Sequence, residues 1–164
     1  MINNKYAFDE LFKDIRTEYV SIYNVTDDYL MYDKQGEYEI FPASITKVMN
    51  ALTTLKYANV KDEFVVGEEQ DIMWMSPDPS LAHIKKGEKW KMEDLLYASL
   101  LPSGNDAAYA LGYNTVNQMK EYKDKTVKEK CDIFAKMMNE YAKELGCKNT
   151  SFVTLDGNDY VNKK

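Results

Sequence analysis

The chain has 164 residues, of which 45% are hydrophobic and 29% charged, a globular balance that excludes a disordered polymer and suffices for one sizeable core. Lys and Arg number 21 against 27 Asp and Glu, for a formal net charge of -6. No basic run could neutralise a phosphate backbone and Arg16 is the only arginine, so nucleic acid is not an expected partner. No apolar run approaches membrane-spanning length. Met1-Ile2-Asn3-Asn4-Lys5 lacks the apolar stretch of a secretory signal.

Residues 5–17 carry Tyr6, Phe8, Leu11, Phe12 and Ile15 at amphipathic-helix spacing. Tyr19 to Tyr23 and Tyr29 to Tyr32 are short β-favouring runs, and the polar residues Asn24 to Asp28 between them predict a hairpin. Tyr19, Ile22, Leu30 and Tyr32 are its expected core-facing side chains. Pro42-Ala43-Ser44 opens a helix in which Ile45, Val48, Met49, Leu52 and Leu55 recur at helical spacing, so this helix is expected deep in the core. Residues 59–93 mix a strand-like piece, Phe64-Val65-Val66, with loops marked by Gly67, Pro77, Pro79 and Gly87. Met92 to Leu101 reads as a helix ending at Pro102, and Asp106 to Leu111 begins an alanine-rich one. Tyr113 to Lys125 reads as a polar surface connection.

Val127, Cys131, Phe134, Met138, Tyr141 and Leu145 form an amphipathic helix with Gly146 as its left-handed C-terminal cap. Phe152-Val153 is expected to begin an extended segment. Cys131 falls on the apolar face, where a buried free thiol is expected, and its spacing from Cys147 is not that of a metal site. The pattern is one α/β (α+β) domain over residues 1–164, with too few strands for its helices. An isolated hairpin is marginal in water, so the sheet reads as unfinished.

Two short motifs can carry chemistry. If Ser44 opens its helix, unpaired N–H groups and the helix dipole favour a developing oxyanion there. Lys47 lies three residues on, on the same face, where burial would let it act as the base that a serine nucleophile needs. Ser103-Gly104-Asn105 follows the Met92 helix, with a hydroxyl suited to proton relay and an amide suited to a peptide backbone. Each motif alone also fits a plain capping serine or a turn. His83, the only histidine, has no triad pattern around it. Asp27-Asp28 and Glu68-Glu69 read as solvated loop charges, and the methionines and tyrosines as packing residues.

In context the motifs are more specific. Phe41-Pro42-Ala43-Ser44-Ile45-Thr46-Lys47-Val48-Met49 resembles the active-site segment of the serine-type D-alanyl-D-alanine carboxypeptidases, the low-molecular-mass penicillin-binding proteins. Leu95 through Ala108, with Pro102-Ser103-Gly104-Asn105 at its centre, resembles their second motif. Met138 to Gly146, then Asn149-Thr150, Phe152 and Asp156-Gly157, resembles the helix and acidic-glycine step that follow. The resemblance runs from about Tyr19 to Gly157. It implies Ser44 as the acylated nucleophile, Lys47 as its general base, Ser103 in the proton network and Asn105 holding the peptide. It implies a peptidoglycan stem ending in D-Ala-D-Ala as substrate, β-lactams as inhibitors, an extracytoplasmic location and no metal or organic cofactor. The implied fold is the penicillin-recognising type, an antiparallel sheet beside a helical lobe.

The family's third motif, Lys-Thr-Gly or a near variant, does not follow. Lys125-Thr126 lacks the glycine and precedes the Met138 helix, out of the family's order. That motif would supply a second lysine, a contact to the substrate carboxylate and one oxyanion N–H. The expectation is therefore an N-terminal portion, weakly active or inactive alone, that self-associates or is complemented by a C-terminal fragment. Two other readings remain open. One is a β-lactamase-like hydrolase, for which Glu129 and Glu140 are the deacylating candidates. The other is a non-catalytic relative that binds peptidoglycan or a partner protein.

Overall fold

A computed structural model describes residues 4–71, 73 and 79–158; the loop expected at Pro77 lies outside the described residues. The chain divides into two compact units, Met1–Ile40 and Phe41–Lys164.

In the first unit, helix α1 (Asn4–Phe12) precedes strands β1 (Val20–Asn24) and β2 (Tyr29–Lys34), which pair antiparallel. The turn between them is built by its own side chains. Asn24 Oδ1 accepts from the Asp27 N–H at 3.0 Å, and Asp28 takes φ 55°, the left-handed conformation that short Asx residues tolerate. Ile22 faces Tyr32, but a bulge between Ile22 and Tyr23 shifts the register and sets Leu30 opposite Tyr23. Leu30 is consequently exposed, and Tyr32 alone of the four expected core residues is buried. Phe8 and Phe12 of α1 pack on its ring at centroid distances of 5.6 and 5.3 Å.

Among the described residues the second unit holds four α-helices and one more antiparallel strand pair. A 3₁₀ turn, Ala43–Ile45, leads into α2 (Thr46–Tyr57); β3 (Glu63–Val65) pairs antiparallel with β4 (Lys89–Lys91). Then come α3 (Met92–Leu100), α4 (Asn105–Asn117) and α5 (Val127–Glu144). Helix α4 is central. Its Tyr109 and Val116 join Met49, Cys131, Phe134, Met138, Phe152 and Leu155 in one apolar cluster. Its Ala107, Ala110 and Leu111 join Val66, Ile84, Met92 and Leu95 in another. Residues 113–117 continue this helix instead of forming a surface connection. Their polar side chains are satisfied inside the fold: Asn114 Nδ2 donates to the Ala110 carbonyl and Thr115 Oγ1 to the Leu111 carbonyl.

Helix α5 follows the apolar pattern of its sequence. Thr126 and Glu129 form a capping box at its start, and Gly146 (φ +88°) follows its end. Cys131 is buried on its inner face as a free thiol, and burial pushes that thiol up to about 12. The Phe152 segment forms no strand. Its N–H and carbonyl pair instead with the Asn139 amide on α5, at 2.7 Å each.

Helix α2 departs most from its sequence pattern. Ile45, Val48, Leu52 and Leu55 are exposed, while Thr46, Lys47, Asn50, Thr53 and Thr54 are buried. Sequence periodicity assumes that polar residues face water. Here Lys47, Asn50, Thr53 and Thr54 each have a partner, which offsets the desolvation penalty. Thr53 Oγ1 donates to the Met49 carbonyl, and Asn50 Nδ2 donates to the Ala108 and Leu155 carbonyls at 3.0 and 2.9 Å. Glu69 departs likewise: it is fully buried, both carboxylate oxygens accept from the Gly67 N–H, and burial raises its carboxyl above the usual range.

Candidate active site

Ser44 sits in the 3₁₀ turn that precedes α2, one step earlier than an α-helical first turn. In such a turn side chains three apart eclipse, which puts Lys47 directly beside Ser44. Lys47 Nζ donates to Ser44 Oγ at 3.1 Å and to the Asp156 carbonyl at 3.0 Å. Ser103 Oγ donates to Ser44 Oγ at 2.9 Å, across 59 residues of chain. The two motifs therefore converge into one chain of polar atoms, Ser103–Ser44–Lys47–Asp156 carbonyl. Ser44 is exposed and Lys47 is only 2% exposed, so the hydroxyl is accessible while its amine partner is sealed.

Burial pushes the Lys47 ammonium below the usual lysine range, and the Asp156 and Asp106 carboxylates pull it back upward. A lysine so displaced can shed its proton more readily, which is what a base toward a serine hydroxyl requires.

Asn105 begins α4 and is buried, with its backbone N–H on the Ser80 carbonyl at 2.9 Å. Its amide makes no hydrogen bond to Ser44, Lys47 or Ser103 among the described residues. Ser103 itself holds φ 59° and Ala43, next to Ser44, φ 46°. Both are non-glycine residues in the left-handed region, a strain that clusters at functional sites.

Three further residues support this geometry, of which the sequence singled out only Gly157, as the glycine of the acidic step. Asp106 accepts from the Ala82, Ile84 and Ala107 N–H groups at 2.9 to 3.0 Å, tying the start of α4 to the preceding loop. Asn50 ties α2 to α4 and to Leu155. Gly157 (φ +86°) lies so close to the Ala43–Ile45 turn that a Cβ there would sit 1.8 Å from the Ala43 carbonyl oxygen. An acid just inside a helix start and a glycine after an acid were the available signals, but neither names its partner. A cavity of about 160 Å³ lies alongside, lined among others by Phe41, Pro42, Thr46, Phe152, Thr154 and Gly157.

The two glutamates considered for deacylation lie elsewhere. Glu129 is engaged in the α5 cap, where the Thr126 N–H holds its carboxyl down at about 2, and Glu140 is exposed near Lys136.

A serine hydroxyl joined to a sealed lysine at the head of a helix, in a mostly helical unit, is the layout of the penicillin-recognising serine hydrolases. The chain belongs to the D-alanyl-D-alanine carboxypeptidase family, whose sequence model matches residues 8–164. It is 31% identical over 131 residues to a D-alanyl-D-alanine carboxypeptidase of Streptomyces sp., covering 77% of this chain and 42% of that protein. It is 29% identical over 140 residues to D-alanyl-D-alanine carboxypeptidase DacC of Escherichia coli, covering 79% of this chain and 31% of that one. A solved structure of a Streptomyces DD-transpeptidase variant superposes with a TM-score of 0.78 at 27% identity, over 90% of this chain and 55% of the other. The chain thus spans less than half the length of these two curated relatives.

Proposed function

We propose that the chain carries the acyl-transfer half-site of a serine D-alanyl-D-alanine carboxypeptidase acting on peptidoglycan stem peptides in cell-wall biogenesis. The hydrogen-bonded series Ser103–Ser44–Lys47, with its amine buried and its nucleophile exposed, is the observation that carries this reading. Neutral Lys47 takes the Ser44 proton as Oγ bonds to the carbonyl carbon of the penultimate D-alanine. The proton then passes through Ser103 to the leaving nitrogen, the C–N bond breaks, and D-alanine departs. Water releases the acyl group from Ser44 by the reverse relay. Asn105 would hold the peptide backbone. A β-lactam would enter the same path and remain as an ester on Ser44. The substrate class supports an extracytoplasmic location.

No residue of this chain matches the strand motif that would complete the oxyanion and carboxylate contacts. Loss of one oxyanion donor alone costs about 10²–10³ in rate. The 164-residue chain by itself should therefore release D-alanine well below about 1 s⁻¹. The exposed apolar face of α2 supports self-association or complementation by a C-terminal fragment. Intact-protein mass spectrometry after incubation with benzylpenicillin tests the nucleophile. One adduct is expected on the wild type and none on Ser44→Ala; an adduct that persists in Ser44→Ala refutes the assignment.

A further inference from the structure

The segment Thr154–Asn158 is built against the nucleophile turn more tightly than a connecting loop requires. Thr154, Leu155 and Asp156 are all buried, although no helix or strand holds them. Their conformation is fixed from both sides. Asn50 of α2 donates to the Leu155 carbonyl, and Thr154 Oγ1 accepts from the Gly157 N–H at 3.1 Å. The Asp156 carboxylate accepts from the Asn158 N–H at 3.1 Å and from Asn158 Nδ2 at 2.7 Å. That leaves a buried carboxyl, pushed above the usual carboxylate range by burial and drawn back down by the Asn158 contacts and Lys47, whose own residue also supplies the carbonyl that Lys47 grips.

The carboxylates acting on Lys47 are Asp156, from this segment, and Asp106, from α4. Asp106 is already saturated by three backbone N–H groups in the fold's own interest. Asp156 has no such structural duty beyond its turn.

We propose that Asp156 is the positioning residue of the Ser44–Lys47 pair, its carbonyl aiming the amine and its carboxylate serving as the buried counter-charge for the ammonium formed when Ser44 gives up its proton. Gly157 fits the same role from the backbone side, because only a residue without Cβ can lie against the Ala43 carbonyl and keep the nucleophile turn seated. The inference rests on Lys47 being the base. Its sign follows from charge. A nearby anion favours the protonated amine, so removing it lets Lys47 lose its proton at lower pH but leaves it a weaker base.

The test is the pH dependence of acylation by benzylpenicillin, in the protein as produced from its own reading frame. For Asp156→Asn, which keeps the backbone carbonyl and one of the two side-chain acceptors, two changes are expected together. The acidic limb moves to lower pH, and the plateau rate falls. Asp156→Ala should show the same displaced limb, although it also loses the Asn158 contacts. Gly157→Ala should lower the rate at all pH values with the limb unmoved; if it fails to fold, the Asp156 pair still decides. An Asp156→Asn profile with its limb unmoved overturns the counter-charge. If Lys47→Ala acylates as the wild type does, the reading of Lys47 as base fails instead, and the two failures are distinguishable.

Discussion

Helices α2 and α5 pack against each other's neighbourhood yet solve opposite problems. Helix α5 buries Cys131, Phe134, Met138 and Ala142 and turns Lys128, Lys136, Glu140, Lys143 and Glu144 to water, with Lys130 its one buried charge and both ends capped by its own local sequence. Helix α2 buries Thr46, Lys47, Asn50, Thr53 and Thr54 and leaves Ile45, Val48 and Leu55 in the open. The first helix is stabilised by transfer of apolar surface, which any neighbour of the right shape can accept. The second is held by directional bonds to particular carbonyls, worth little net when made but costly when one partner is lost. That second kind of fixing holds the Lys47 amine within hydrogen-bond reach of Ser44 Oγ.

The largest effect that would sharpen this contrast is Phe134→Ala in α5, expected to cost about 4 kcal/mol in denaturant unfolding through lost burial and a residual cavity. A loss below about 1 kcal/mol would show that α5 is not the apolar anchor. Next comes Asn50→Ala in α2, which removes no large apolar group but leaves the Ala108 and Leu155 carbonyls without their donor. The expected cost is about 3 kcal/mol, together with slower acylation of Ser44 as the Leu155–Asp156 segment loosens. Near-neutral stability would break the claim that polar pairing holds this helix. The smallest effect is expected for Leu52→Gln and Leu55→Gln, each within about 0.5 kcal/mol because the side chains lie on the open face. A cost above about 1 kcal/mol in either would mean that something covers that face in solution.

The same contrast explains what could be read in advance. The α5 helix, its Gly146 cap, the first hairpin and the order Ser44, Lys47, Ser103 are all local patterns, and local patterns survive in a sequence. The inverted burial of α2 is not local. It depends on Asn50 meeting residues 58 and 105 positions away, and an apolar count assigns the wrong face when such partners exist. Residues 113–117 were misread for the same reason, since polar side chains that bond back to their own helix look like surface. Glu69 read as a solvated charge because the Gly67 N–H that receives it is visible only once the turn is folded. Ser44, Lys47 and Ser103 stand out as motifs and Asp156-Gly157 as an acid-glycine step, whereas Asp106 and Asn50, which tie α4 to the preceding loop and α2 to α4, carry no signature of their own.

The perturbed thiol on α5 has a consequence for kinetics. Alkylation proceeds through the thiolate, and Cys131 supplies almost none while its helix is docked, so the folded state shields it chemically as well as sterically. Iodoacetamide should therefore label half-buried Cys147 readily and reach Cys131 only during excursions in which α5 leaves the body of the protein. Measured by mass, the slow second alkylation becomes a clock for the opening of the main core, running in the native protein without denaturant.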